Sequence, residues 1–201
     1  MIPMNSNIRS NWLIFLAICS FMSACNSDPI AKPRGYFRIE IPAVEYTSYH
    51  HPCGPTFDVP VYAKVERIPT EAKNDDCWFN LAYPMFSAKL HCTMVRFEGN
   101  PAFYALIDDV HEMVFSHESK STGIQSHAFE FPTSQVSGLV FDLDGPVATP
   151  LQFFATDSTQ YFLRGALYFQ HAPNPDSIGP ALDHLRMDVI RMIESLQWTK
   201  P

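Results

Sequence analysis

Apolar and polar residues alternate along most of this chain, and the period of two predicts strands at Tyr36 to Glu40, Thr56 to Val59, Ala63 to Ile68 and Trp78 to Tyr83. Further strands are predicted at Ala88 to Phe97, Ala128 to Phe131, Val136 to Asp142, Leu151 to Thr156 and Tyr161 to Phe169. Two stretches switch to helical spacing. Asn100-Pro101 supplies an N-cap residue followed by proline at the first helical position, and Phe103, Leu106, Ile107, Val110 and Val114 then share one face of a helix that should end before Gly123. A second helix is predicted from about Pro180 to Gln197, with Leu182, Leu185, Val189, Met192, Ile193 and Leu196 at helical spacing. Both helices are amphipathic, so both should pack on a sheet. Many strands with only two helices imply mainly antiparallel pairing, because parallel neighbours each need a crossover connection. The expected class is therefore α+β, a mainly antiparallel sheet with two amphipathic helices.

The N-terminus follows a different pattern. A single positive charge, Arg9, precedes Trp12 to Met22, a run broken only by Ser20. It has the length of a secretory h-region and falls short of the roughly 20 residues a membrane-spanning helix requires. Met22-Ser23-Ala24-Cys25 places small residues directly before a cysteine, which fits a lipobox and predicts Cys25 as the acylated first residue of a mature lipoprotein. Residues 1–24 then read as signal peptide, 25–34 as a lipidated tether interrupted by Pro29 and Pro33, and 35–201 as one α+β domain. Stable attachment takes more than one acyl chain, since a single chain binds a bilayer only reversibly.

The formal net charge is −7, and losing Arg9 with the signal peptide makes the mature form −8. With no clustered Lys or Arg to displace counterions from phosphates, nucleic acid is excluded as a partner. Of five cysteines, Cys19 leaves with the signal peptide and Cys25 carries lipid; Cys53, Cys77 and Cys92 remain. In an oxidising periplasm three thiols predict one disulfide and one buried cysteine. Cys53 lies in the loop-like His50-His51-Pro52-Cys53-Gly54-Pro55 and Cys77 follows the turn Asn74-Asp75-Asp76, so these two are expected to pair, leaving Cys92 in a strand as core. A metal reading would recruit His51, Cys53 and Cys77, but zinc sites usually bring tighter ligand pairs, and no metal is expected.

Reactive constellations are sparse. His111 and His117 are six apart, on nearly opposite faces of a helix, where a zinc-binding pair needs a spacing of four; His111 reads as a polar helix residue near Asp108. Asp142 and Asp144 flank Leu143 before Gly145-Pro146 and offer paired carboxylates, or simply a solvated turn. No Gly-x-Ser-x-Gly elbow, phosphate-cradling loop or Cys-His signature occurs, so neither catalytic residues nor a cofactor are expected.

Several segments carry a family likeness: Lys32-Pro33-Arg34-Gly35-Tyr36-Phe37-Arg38, Tyr161-Phe162-Leu163-Arg164-Gly165-Ala166-Leu167-Tyr168-Phe169, and Pro173-Asn174-Pro175-Asp176-Ser177-Ile178. With Cys53, Cys77-Trp78, Thr156-Asp157-Ser158 and Asp188-Val189-Ile190, in this order, the chain resembles the gliding-motility lipoprotein GldD family of Bacteroidetes over nearly its whole mature length. The resemblance implies a non-enzymatic accessory of the gliding machinery, tied to type IX protein secretion across the outer membrane. Its expected partners are the lipid bilayer, through N-terminal acyl chains, and other gliding or secretion lipoproteins and envelope proteins. The periplasmic face of the outer membrane is its expected location. The family brings no established catalytic residue to carry over. Arg34, Tyr36, Arg38 and Arg164 are residue types enriched at interface hot spots and are the expected partner-binding residues, the alternative being that Tyr36 and Arg164 only pack within the sheet. Two other classes stay open: an envelope hydrolase using Asp142, Asp144 or a histidine, and a lipoprotein binding a ligand in an apolar pocket beside the aromatic strand. In element order the domain also resembles PsbP and Mog1-type folds, an analogy that assigns no function.

Overall fold

A computed structural model describes residues 43–68, 77–170 and 174–198. The signal segment, the lipidated tether, Cys25, the strand expected at Tyr36 to Glu40, and Arg34, Tyr36 and Arg38 lie outside them. Among the described residues the order is β1 (Tyr46–His50), β2 (Thr56–Pro60), β3 (Lys64–Ile68), β4 (Cys77–Tyr83), β5 (Ala88–Arg96), α1 (Gly99–Phe115), β6 (Gly123–Phe131), β7 (Val136–Asp144), β8 (Leu151–Thr156), β9 (Tyr161–Phe169) and α2 (Pro175–Glu194). β1 and β2 form a separate hairpin; the others make a seven-stranded sheet ordered β3-β4-β5-β9-β8-β7-β6. Every ladder in both sheets is antiparallel, and the fold is α+β. The likeness to PsbP and Mog1-type proteins rests on element order alone.

The chain builds β3, β4 and β5 as neighbours, crosses through α1 to the far edge at β6, and meanders back until β9 closes against β5. That closing ladder runs from the Ala88–Phe169 pair to the Arg96–Tyr161 pair and leaves β9 in the middle of the sheet. Strands covered on both faces should read as continuous apolar runs, and β8 is buried at every position. Successive residues point to opposite sides. Phe153 joins Leu90, Met94, Leu163 and Leu167 in a core shared with Leu185, Val189 and Met192 of α2. Its neighbour Phe154 joins Phe141, Leu143 and Phe162 in a second core with Val110 and Val114 of α1. The two helices therefore cover opposite faces. Gly165 pairs with Phe153, and any side chain there would overlap the phenyl ring, so the glycine at the centre of the aromatic strand is a packing requirement.

Several boundaries differ from expectation for physical reasons. Helix α1 starts at Gly99, whose φ of +75° turns the chain out of β5 at no steric cost, and extended Glu98 rather than Asn100 occupies the cap position. Helix α2 starts at Pro175, not Pro180. The same cap-then-proline logic applies one motif earlier, with the carbonyl of Asn174 accepting from the N–H groups of Ser177 and Ile178. It ends at Glu194, because Gln197 leaves the helical path to exchange backbone hydrogen bonds with Thr56. β6 begins at Gly123, well before Ala128, since β7 offers a partner as far as Asp144 and an edge strand tolerates polar residues. β1 has too little apolar character to be recognised alone; Tyr46 and Tyr49 are its half-buried side chains.

Candidate functional site

On the α1 face, the second core draws its buried residues from α1, β7, β8, β9 and adjacent loops, with none from β3, β4 or β5. Among the described residues, half of this sheet face is therefore bare of helix. Cross-strand register sets what it carries: Ile68, Trp78, Thr93 and Arg164 lie in one row, and Glu66, Asn80, His91 and Ala166 in the next. Where the bare half meets α1, a groove of about 300 Å³ opens, lined by His91, Thr93, Met113, Gln152, Arg164 and Tyr168 among others. Three large hydrophobics on its margins are exposed: Trp78 at 43%, Tyr168 at 40% and Met113 at 37%.

Arg164 is the centre of this site. It projects half-buried from the middle strand, and its guanidinium donates to the thioether of Met113 at 3.2 Å. Among the described residues, no carboxylate forms an ion pair with it. The nearby cation Lys89 is already matched by Glu66 at 2.8 Å, and this contact draws the Glu66 carboxyl below its ordinary range. His91 packs edge-on against Tyr168; partial burial first, and the charge of Lys89 second, hold its imidazole below the ordinary value, so it is neutral at pH 7. The floor thus presents one uncompensated guanidinium among neutral side chains. Arg34, Tyr36 and Arg38 lie outside the described residues, so Arg164 alone of the four expected partner-binding residues is placed.

The residues considered for catalysis lie apart from this groove. Asp142 accepts both arms of a fork from Arg186, Nε at 2.9 Å, and lies 3.5 Å from the exposed His127, tying β7 to α2. Asp144 is exposed at the end of β7, where its backbone carbonyl accepts from Thr122 N–H. The ring of His111 uses Nδ1 on the Ile107 carbonyl at 2.8 Å rather than on Asp108, and His117 Nε2 meets Thr149 Oγ1 at 3.2 Å. His51, Cys53 and Cys77 do come together, with ligand atoms within 4.8 Å. A disulfide joins the two cysteines, with Cα atoms 6.3 Å apart, which consumes the thiolates a metal would need. His51 Nδ1 accepts from Cys53 N–H at 3.2 Å, so the proton sits on the buried Nε2, which has no partner among the described residues; burial lowers the affinity of this ring for a second proton. Cys92 is a free, buried thiol in the α2-side core, and burial pushes its pKa up.

A buried polar cluster joins the β1–β2 hairpin and the loop after it to α2. Asp188 is 1% exposed on the apolar stripe of α2 and accepts from Tyr46 Oη at 2.8 Å and from Tyr62 Oη. Since Tyr62 donates to Asp188, His184 Nε2–H must donate to the Tyr62 oxygen, at 2.7 Å. Desolvation raises the Asp188 carboxyl above its ordinary range, opposed by the bonds from Tyr62 and Tyr46 and by His184. The same burial, reinforced by Asp188, drives both phenols upward. The cluster pins the β1–β2 hairpin to α2. Its signal in the sequence was an acid on an apolar helical stripe with a histidine one turn earlier.

Fold and site together define an α+β domain whose two described helices cover opposite faces of an antiparallel sheet, leaving one half-face open among the described residues around an arginine that none of their carboxylates pairs. No helix among the described residues is long and apolar enough to cross a membrane. The model of the gliding motility lipoprotein GldD family matches residues 26–198, and the chain belongs to that family of membrane-anchored envelope lipoproteins. No curated protein matches it.

Proposed function

We propose that this gliding-motility lipoprotein is a non-enzymatic accessory that works by contact, docking gliding and type IX secretion proteins through the open half-face around Arg164. The observation that carries the reading is the Arg164 groove itself: a guanidinium without a carboxylate partner among the described residues, margined by exposed Trp78, Tyr168 and Met113. Arginine, tryptophan, tyrosine and methionine are the residue types enriched where interfaces concentrate binding energy. Acyl chains on Cys25 hold the domain at the periplasmic face of the outer membrane, and Arg34, Tyr36 and Arg38 are further residues of the types that bind partners. The engagement of Asp142 with Arg186, and of each histidine with its own local partner, supports a role without chemistry.

Cells lacking the native copy, complemented with alanine variants at Trp78, Arg164, Tyr168, Asp142 or Asp144 matched for abundance, test this by colony spreading and secretion. Loss at Arg164 and its aromatic neighbours, with Asp144 dispensable, is the expected result. Loss confined to Asp142 or Asp144 would turn the reading to a hydrolase.

A further inference from the structure

Resting on the docking role of this face, we infer that the groove receives an acidic side chain of a partner protein, its carboxylate gripped by the guanidinium of Arg164. A guanidinium offers five donors in a planar fork that matches a carboxylate, yet the acceptor it has here is a neutral thioether. Among the described residues the acid that β3, β4 and β5 place on this half-face is Glu66, three strands away on β3, and it is taken by Lys89. Among the described residues no aspartate or glutamate lines the groove, although the chain as a whole carries a net charge of −7, so these residues form a local cationic hole in an acidic protein. Thr93 lies directly across from Arg164 in the ladder and can give a second donor from its hydroxyl.

The architecture favours an acidic side chain over a chain terminus. Terminal carboxylates are captured by convergent backbone N–H groups, as in a nest. Here the floor is made of β5, β9 and β8, each flanked by strands on both sides, so their backbone donors are committed to ladders and only side chains remain. Trp78 and Tyr168 on the margins call for apolar or aromatic residues beside the acid. A volume of about 300 Å³ admits one such side chain and part of its neighbours.

The detergent-solubilised lipoprotein, titrated with unlabelled acetyl-Gly-Phe-Glu-Phe-Gly-amide and its Gln counterpart, tests this by isothermal titration calorimetry. The Glu peptide should bind about tenfold or more tightly than the Gln peptide, the difference expected of a charge-assisted pair, and should weaken with added salt. Arg164→Gln should erase the preference, whereas Arg164→Lys should keep a reduced one. If Arg164→Gln does not melt cooperatively, the Glu-against-Gln comparison on the unaltered protein decides. Equal binding of the two peptides, no binding of the Glu peptide at millimolar concentration, tighter binding of the Gln peptide bearing a free C-terminal carboxylate, or an unchanged preference in a folded Arg164→Gln each overturns the inference. Should the peptides fail while Arg164→Ala still abolishes colony spreading, docking stands and the carboxylate ligand falls; intact spreading in that variant removes the docking reading too.

Discussion

Breaking the Cys53–Cys77 disulfide should cost this domain several kilocalories per mole. Cys53 follows β1 and Cys77 opens β4, so the bond ties the small hairpin sheet to the large sheet across a separation of 24 residues. In the chain-entropy account, closing a loop of that length removes about 3.4 kcal/mol worth of freedom from the unfolded chain at 25 °C. For a domain of this size each kcal/mol moves the melting temperature by about 2–4 °C, so roughly 7–14 °C of Tm is at stake. Both cysteines are only half-buried, so truncating them opens little cavity. Reduced wild type and the Cys53→Ala/Cys77→Ala double variant should therefore melt at nearly the same temperature, both well below the oxidised protein. Circular dichroism melts with and without a dithiol measure the fall, and mass spectrometry of a non-reduced digest verifies the bond. A fall of less than about 2 °C, or free thiols at both positions in envelope-purified protein, would refute the reasoning.

Cys25→Ala should abolish radiolabelled palmitate incorporation and release the protein into the soluble envelope fraction; label retained by the variant sinks the anchor assignment. The raised folded-state value of Asp188 means the native state holds that proton more tightly than the unfolded chain, so its contribution is complete below about pH 4 and lost as pH rises through the raised value. Asp188→Asn lacks that ionisation. Wild type should thus lose ground to it between pH 4 and 7, read from urea midpoints, and a shift in the opposite direction would place the folded value below the ordinary one. Gly165→Ala forces a methyl into the Phe153 ring in a fully packed core and should cost about 1–3 kcal/mol, relieved in part by adding Phe153→Leu. Unchanged stability of the single variant by denaturant titration would show that the ring has room to move.

Much of this protein was legible along the chain. Alternation along β5, β7 and β9, the apolar run of β8 and the stripes of α1 and α2 mark which residues face a core, because side-chain direction repeats every two or 3.6 residues whatever the surroundings. The cysteine pairing was readable for a similar reason, since both residues stand at element ends. Polar β1 carries no readable period because its stability comes from β2 and α2, and two prolines offer competing starts for α2. Other features depend on residues distant in sequence. Asp188 finds Tyr46 across 142 positions, β9 inserts between β5 and β8, and α1 covers only half a face, leaving Arg164 without a counter-charge among the described residues. Periodicity says that a face is apolar or a residue charged. Only closure of the long connections decides which strand lies beside it, what covers it, and whether a charge is answered from within the chain.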